Sequence, residues 1–283
     1  MSMDKKRRKL VGLKYILLNV VLVLLVFMLA ACGANNTANT SSDTEGKTGG
    51  NNGSVIKIAH IGPHTGNSAM YGEWDYNGVM LAIDEVNAQG GIQGRKIEVI
   101  KMDDQGNPTL SVNAARRAIN EGVVAAFATP NSTPTLAVMD VFNQAKVPHL
   151  TAGQDPTITQ KGSKYVFRYN ANSFAYAKTA IDYVVNKLGK KKIAIITNSG
   201  AFSKGELNSV TNALKAFNVT PIASEVVTPD AKDFTAQLSN IKNANPEVLY
   251  IGTENIQAGL IAKQARALGI EAVFLGGSPF GDP

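Results

Sequence analysis

The stretch Val55–Asp104, VIKIAHIGPHTGNSAMYGEWDYNGVMLAIDEVNAQGGIQGRKIEVIKMDD, decides the fold. It opens with a short apolar run, Val55–Gly62, in which Val55, Ile56, Ile58 and Ile61 are β-branched and favour an extended chain. A loop of small and polar residues follows, Pro63–Ala69. From about Tyr71 the apolar residues recur at helical spacing, at Val79, Ile83 and Val86. Asn87, Gly90 and Gly91 are predicted to stop this helix, because Asn and Gly accept the positive φ of a helix C-terminus at little cost. Gly94 turns the chain, and Lys96–Met102 reads as a second strand. Strand, helix and strand at this length form a βαβ unit, with parallel strands and a right-handed crossover.

The same alternation continues toward the C-terminus. A helix is expected over Pro108–Glu121, with Pro108 suited to its first turn. Strand Val123–Thr129, loop Pro130–Pro134, a helix to Ala145, and strands Val147–Leu150 and Tyr165–Tyr169 come next. A long helix fits Ser173–Leu188, closed by Gly189. The pattern then restarts, since Lys192–Ile196 (KIAII) echoes Lys57–Ile61 (KIAHI). The second series is helix Lys204–Phe217, strand Pro221–Val227, helix Phe234–Asn243, strand Val248–Gly252, helix Ile256–Leu268 and strand Ala272–Gly276. The predicted fold class is α/β, with two doubly wound parallel-sheet lobes facing each other: residues 55–168 and residues 169–283.

Toward the N-terminus the chemistry changes. Residues 1–31 read as a secretory signal, with Lys5, Lys6, Arg7, Arg8, Lys9 and Lys14 ahead of an apolar run from Tyr15 to Ala31 broken only by Asn19. Leu29-Ala30-Ala31-Cys32 resembles the lipobox of bacterial lipoproteins, which implies lipid attachment to the Cys32 sulfur and cleavage before it. Residues 32–54 are a tether. Gly33–Gly53 carries no large apolar side chain, and a flexible chain of this length spans about 25 Å end to end. The net charge of +6 belongs mostly to the signal, whose six cations and Asp4 give +5 and leave +1 on the remainder. Nucleic acid is therefore not an expected partner. Cys32 is the sole cysteine, so no disulfide forms within the chain and the core must supply the stability.

A resemblance rests on a series of short words: Gly62-Pro63 with Thr65-Gly66, Tyr71-Gly72, Gly78 with Leu81-Ala82, Asn87–Ile92 with Gly94-Arg95, and Asp103-Asp104 with Pro108. In this order and spacing the chain resembles the type I solute-binding proteins, and within them the branched-chain amino acid-binding family. The resemblance runs from Val55 to the last residue. It implies a ligand cleft between two lobes and a membrane-embedded ABC permease as partner. That family continues past the point matching Pro283, so a fragment truncated at the C-terminus is expected.

In open parallel α/β sheets, ligands sit at the carboxyl ends of the strands, which selects the loops that follow them. Ser132 and Thr133 offer hydroxyls and backbone N–H groups at a helix start, where the dipole favours an anion. A plain N-cap role is the alternative for Ser132. The resemblance places a ligand carboxylate at Ser132 and aromatic ligand neighbours at Tyr71 and Phe202, with an ordinary core position between the lobes as the alternative for Phe202. It puts Gly153 and Gln154 where relatives use a backbone carbonyl and a threonine hydroxyl, and Ser278 where they carry the glutamate that meets the ammonium. Glu254, after the neighbouring strand, is the candidate replacement for that charge, with a solvated first-turn position as the alternative. Trp74, one helical turn beyond Tyr71, reads as packing with a place in the cleft as the alternative, and His60 reads as a structural residue on the core side of its strand.

Signals for catalysis are missing. Gly276–Phe280 lacks the second glycine of a nucleophile elbow, and Gly90-Gly91 with Gly94 follows a helix rather than a strand. His60, His64 and His149 lack metalloprotease spacing; no metal or cofactor is expected. The expected function is an extracytoplasmic, lipid-anchored, non-enzymatic protein that captures a small polar ligand and delivers it to an ABC importer. A ligand-sensing subunit of a membrane receptor has the same expected fold. An α/β hydrolase is the rival from another class.

Overall fold

The computed structural model describes residues 55–281. The expected signal segment, Cys32 and the tether lie outside the described residues. Among the described residues no helix is long and apolar enough to cross a membrane.

Two parallel sheets organise these residues. The first contains β1 (Ile56–Gly62), β2 (Ile97–Asp103), β3 (Ala125–Ala128), β4 (His149–Thr151) and β5 (Val166–Arg168), in the order β2-β1-β3-β4-β5. The second contains β6 (Ile193–Asn198), β7 (Ala223–Val227), β8 (Val248–Gly252) and β9 (Val273–Gly276), in the order β7-β6-β8-β9. Each sheet begins in its middle, so the chain reverses direction beside β1 and again beside β6. A crevice opens at such a reversal, at the carboxyl ends of the strands. We term the two bodies lobe 1 and lobe 2.

Helices cover both faces of each sheet, and the strands are accordingly apolar on both sides. Every residue of β6 is buried. Ile193 and Ile195 pack with Val210, Leu214 and Tyr250 on one face, while Ala194 and Ile196 pack with Phe234, Leu249 and Ile261 on the other. Lobe 1 repeats the arrangement with Ala59, Ile61, Val138 and Phe142. Each fully buried aliphatic side chain of this kind contributes about 1.5–3 kcal/mol.

The helices are α1 (Ala69–Ala88), α2 (Pro108–Asn120), α3 (Ser132–Ala145), α4 (Ser173–Asp182), α5 (Ala201–Lys215), α6 (Thr235–Asn243) and α7 (Asn255–Ala267). Two differ usefully from expectation. Asn87 does not end α1 by adopting positive φ; it stays helical, and its amide brackets Ile97 of β2, accepting from the backbone N–H and donating to the carbonyl, both at 2.8 Å. The turn is made by Gly90 and Gly91, and a Cβ on Gly91 would lie 2.1 Å from the Arg95 carbonyl oxygen. The expected helix Ser173–Leu188 is divided, with α4 passing into a π-helical turn at Tyr183–Lys187 that leaves Val184 and Val185 both buried.

Candidate functional site

A cavity of about 210 Å³ lies where the two sets of strand ends meet. Lobe 1 contributes Tyr71, Trp74 and Asp75 from α1, Pro130–Ser132 after β3, Ala152 and Gln154 after β4, and Asn170 after β5. Lobe 2 contributes Phe202 after β6, Glu254 after β8, and Ser278 and Pro279 after β9. Nearly every strand end selected from the sequence supplies wall.

Ser132 sits at the first position of α3 and is buried. The cap position belongs to Asn131, so Ser132 is not the N-cap. Its Oγ accepts from the backbone N–H groups of Gln154 (3.0 Å) and Asp155 (3.1 Å). With both lone pairs engaged, the hydroxyl proton can only be given outward. The positive end of α3 adds to this, so the position suits an anion.

Thr133 does not line the cavity. Its Oγ1 accepts from Ala201 N at 3.0 Å and so caps α5 from the opposite lobe. Gly153 is also removed from the wall. Its N–H donates to Thr151 Oγ1 at 2.9 Å, and its carbonyl faces Arg168 Nη1 at 3.4 Å. A Cβ there would lie 2.7 Å from Ile158 Cδ1, so close approach of the loop to its neighbours explains the glycine. Gln154 does line the cavity, and its Nε2 donates to Ser278 Oγ at 2.6 Å across the lobes. The residues at these two positions are thus tied to each other.

Glu254 borders the cavity and holds the N-cap position of α7, where its side chain makes no cap bond. Asn198 Nδ2 donates to its carboxylate at 3.0 Å and to Gln257 Oε1 at 2.7 Å, which fixes the side chain without neutralising it. Among the described residues no lysine or arginine forms an ion pair with Glu254. Tyr71 reaches across the lobes, its hydroxyl accepting from Asn255 N at 3.4 Å. Phe202 is nearly buried in the wall. Trp74 takes the cleft alternative rather than packing: it is 43% exposed, lines the cavity and meets Tyr71 edge-on at 6.1 Å.

Asp75 escaped the sequence reading. It follows Tyr71 by four residues, hence one turn along the same face of α1, and that spacing was the available signal. His60 Nε2 meets its Oδ2 at 3.1 Å, and the Tyr169 hydroxyl donates to Oδ1. Burial and the Asp75 charge push the Tyr169 phenol upward, so it stays protonated. His60 is buried, as expected of the core side of a strand, but its surroundings are polar. Its Nδ1 meets His64 Nε2 at 3.2 Å, and His64 Nδ1 meets Glu73 at 3.2 Å. Lys101 completes the series by donating to Glu73 at 3.0 Å. Burial lowers the His64 pKa. His149 is a different case: buried, stacked on Phe142 at 4.9 Å, with no side-chain partner on either ring nitrogen and a pKa lowered by burial to about 4, against an opposing contact with the Tyr165 backbone. Among the described residues no group of three or more His, Cys, Asp or Glu side chains is placed to hold a metal ion.

Glu206 of α5 was also missed. It is buried, bonded by the Tyr250 hydroxyl, and its pKa is raised by that burial. A Cβ on Gly277 would lie 2.6 Å from its Oε2, so this carboxyl group fills the space behind the β9 loop rather than entering the cavity.

Residues 55–283 match the family described as Periplasmic binding protein. The Leu/Ile/Val-binding protein BraC3 of Rhizobium johnstonii is 32% identical over 223 residues, which is 78% of this chain and 61% of that protein. The crystal structure of a leucine-binding protein from Thermotoga maritima superposes with a TM-score of 0.73 at 29% identity, covering 80% of this chain and 64% of that one. A branched-chain amino acid transporter substrate-binding protein from Streptococcus pneumoniae, solved with isoleucine, gives a TM-score of 0.74 at 28% identity over 80% of this chain and 65% of that one. The chain thus spans about three fifths of the length of the curated relatives it matches. With its paired doubly wound sheets and a cavity at their facing strand ends, the chain belongs to the periplasmic binding protein family, alongside relatives named for binding leucine, isoleucine and valine.

Proposed function

We propose that this chain is the solute-capturing component of an ABC importer: a non-enzymatic, extracytoplasmic protein, anchored by lipid on Cys32, that closes two lobes on a small polar solute. The solute is an amino acid or a related amide or carboxylate, and it is passed to a membrane permease. One observation carries the reading. A hydroxyl obliged to donate, Ser132, and a carboxylate without a cation, Glu254, border one cavity from opposite lobes. A zwitterionic solute satisfies both at once, with its carboxylate on Ser132 and its ammonium on Glu254. A solute that touches both lobes favours the closed arrangement by its differential affinity for that state. Closure also adds the Tyr71–Asn255, Thr133–Ala201 and Gln154–Ser278 bonds.

A thermal-shift screen of the full-length protein against amino acids, amides and small carboxylates tests the capture. A silent screen would sink it. With a ligand in hand, Ser132→Ala should weaken binding by about 1–3 kcal/mol, the cost of an unsatisfied buried partner. The anchor is tested separately by metabolic lipid labelling, which Cys32→Ala should abolish; normal labelling of that variant refutes the anchor alone.

A further inference from the structure

The cavity wall is unbalanced in its hydrogen-bonding chemistry. Two carboxylates line it, Glu254 from lobe 2 and Asp75 from lobe 1, and among the described residues no lysine, arginine or histidine lines it. The charge this wall presents is therefore negative, and the molecule that complements it carries cationic N–H groups.

Asp75 is not saturated by its own neighbours. His60, an ion-pair partner at 3.1 Å when protonated, and Tyr169 each take one position on a different carboxylate oxygen, and each oxygen keeps a further lone pair open to the cavity side. Its side chain is 13% exposed, so little water compensates it. An aliphatic side chain laid against it would bury the charge further with nothing in return. Tyr71, Trp74 and Phe202 offer aromatic faces in the same wall, which also suit a cation.

The geometry points to a solute with two cationic N–H groups, one held by Glu254 and one by Asp75, and a carboxylate held by Ser132. That is an amino acid with a basic side chain, not the aliphatic amino acids for which the relatives are named. Asp75 is the specificity-determining residue. This inference rests on the solute-capture reading above and narrows its substrate class.

Calorimetric titration of the full-length protein with arginine, lysine, leucine and isoleucine tests it. Arginine or lysine should bind at least about tenfold more tightly than either aliphatic amino acid, since only they bring a second cation to the remaining lone pairs of Asp75. This ranking is made on the unmodified protein and needs no variant. Asp75→Asn, checked for an intact thermal transition without ligand, should weaken the basic amino acid by about tenfold or more and narrow its advantage over leucine. Leucine or isoleucine binding as tightly as both basic amino acids overturns the inference and leaves the capture reading standing. So does an unchanged affinity in Asp75→Asn. Silence toward all four also overturns it, whereas the capture reading falls only if the whole solute screen is silent.

Discussion

His60 in β1 and Ile195 in β6 hold the same place in a repeated strand, KIAHI in lobe 1 and KIAII in lobe 2, and both are fully buried. Their surroundings are opposite. Ile195 packs in an apolar layer with Ile193, Val210, Leu214 and Tyr250. His60 bonds Asp75 at the cavity edge and His64 behind it, and it meets the ring of Tyr76 edge-on at 5.2 Å. The same topology therefore serves two purposes. In lobe 2 the middle strand closes a core, and in lobe 1 it carries a polar connection from the cavity wall to the Glu73–Lys101 pair near the surface. Strand order sets where the site opens. One side chain at an equivalent position decides whether the interior behind it is apolar or wired to the site.

Ile195→Ala should break the apolar half of this comparison most severely. A large-to-small change at a fully buried site costs about 2–5 kcal/mol, read as a lower denaturant midpoint. A loss well below that range would mean that the layer around β6 collapses onto the gap.

His149 is a buried histidine of lobe 1 that stacks on Phe142 and, unlike His60, has no carboxylate beside it. Its folded-state pKa of about 4 lies below the ordinary 6.5, so the folded protein binds the proton less well than the unfolded chain does. The stability is complete above about pH 6.5 and falls as the pH drops from there toward 4, by about 3 kcal/mol in all. His149→Leu should flatten that part of the stability–pH curve. An unchanged curve would locate the acid sensitivity elsewhere.

His60→Leu carries the smallest expected effect of the three. It turns lobe 1 toward the lobe 2 pattern but removes one of the two partners of Asp75 and one of the two of His64, leaving Tyr169 and Glu73 respectively, at a cost of about 1–3 kcal/mol in denaturation experiments. A neutral or stabilising result would show that the polar connection is dispensable.

The alternation of strands and helices, the restart at Lys192 and the loops that form the cavity were legible because hydrophobic period and glycine placement are local properties. Ser132 and Glu254 were legible because they follow directly on strands. What escaped depends on contacts remote in the sequence. Thr133 lies beside Ser132, and which of two adjacent hydroxyls faces the cavity depends on the rotation of α3. The start of α5 was expected at Lys204 and lies at Ala201; part of its cap comes from Thr133 in the other lobe, invisible from the residues around Gly200. Gly153 read as a ligand contact because its tight packing against Ile158 exists only after folding. Asp75 needed both α1 and β1 in place before its meeting with His60 could be seen.

In the proposed capture, Glu254 of lobe 2 neutralises the ammonium of a solute whose carboxylate rests on Ser132 of lobe 1. The most direct measurement is calorimetric titration of Glu254→Gln beside the unmodified protein, using the tightest amino acid ligand from the screen. Removing the charge while keeping the shape should cost about 3–5 kcal/mol of binding, because a buried ammonium is left unpaired. It should leave the unliganded thermal transition in place. Equal affinity in the two proteins would contradict the claim and assign the charge of the solute to another partner.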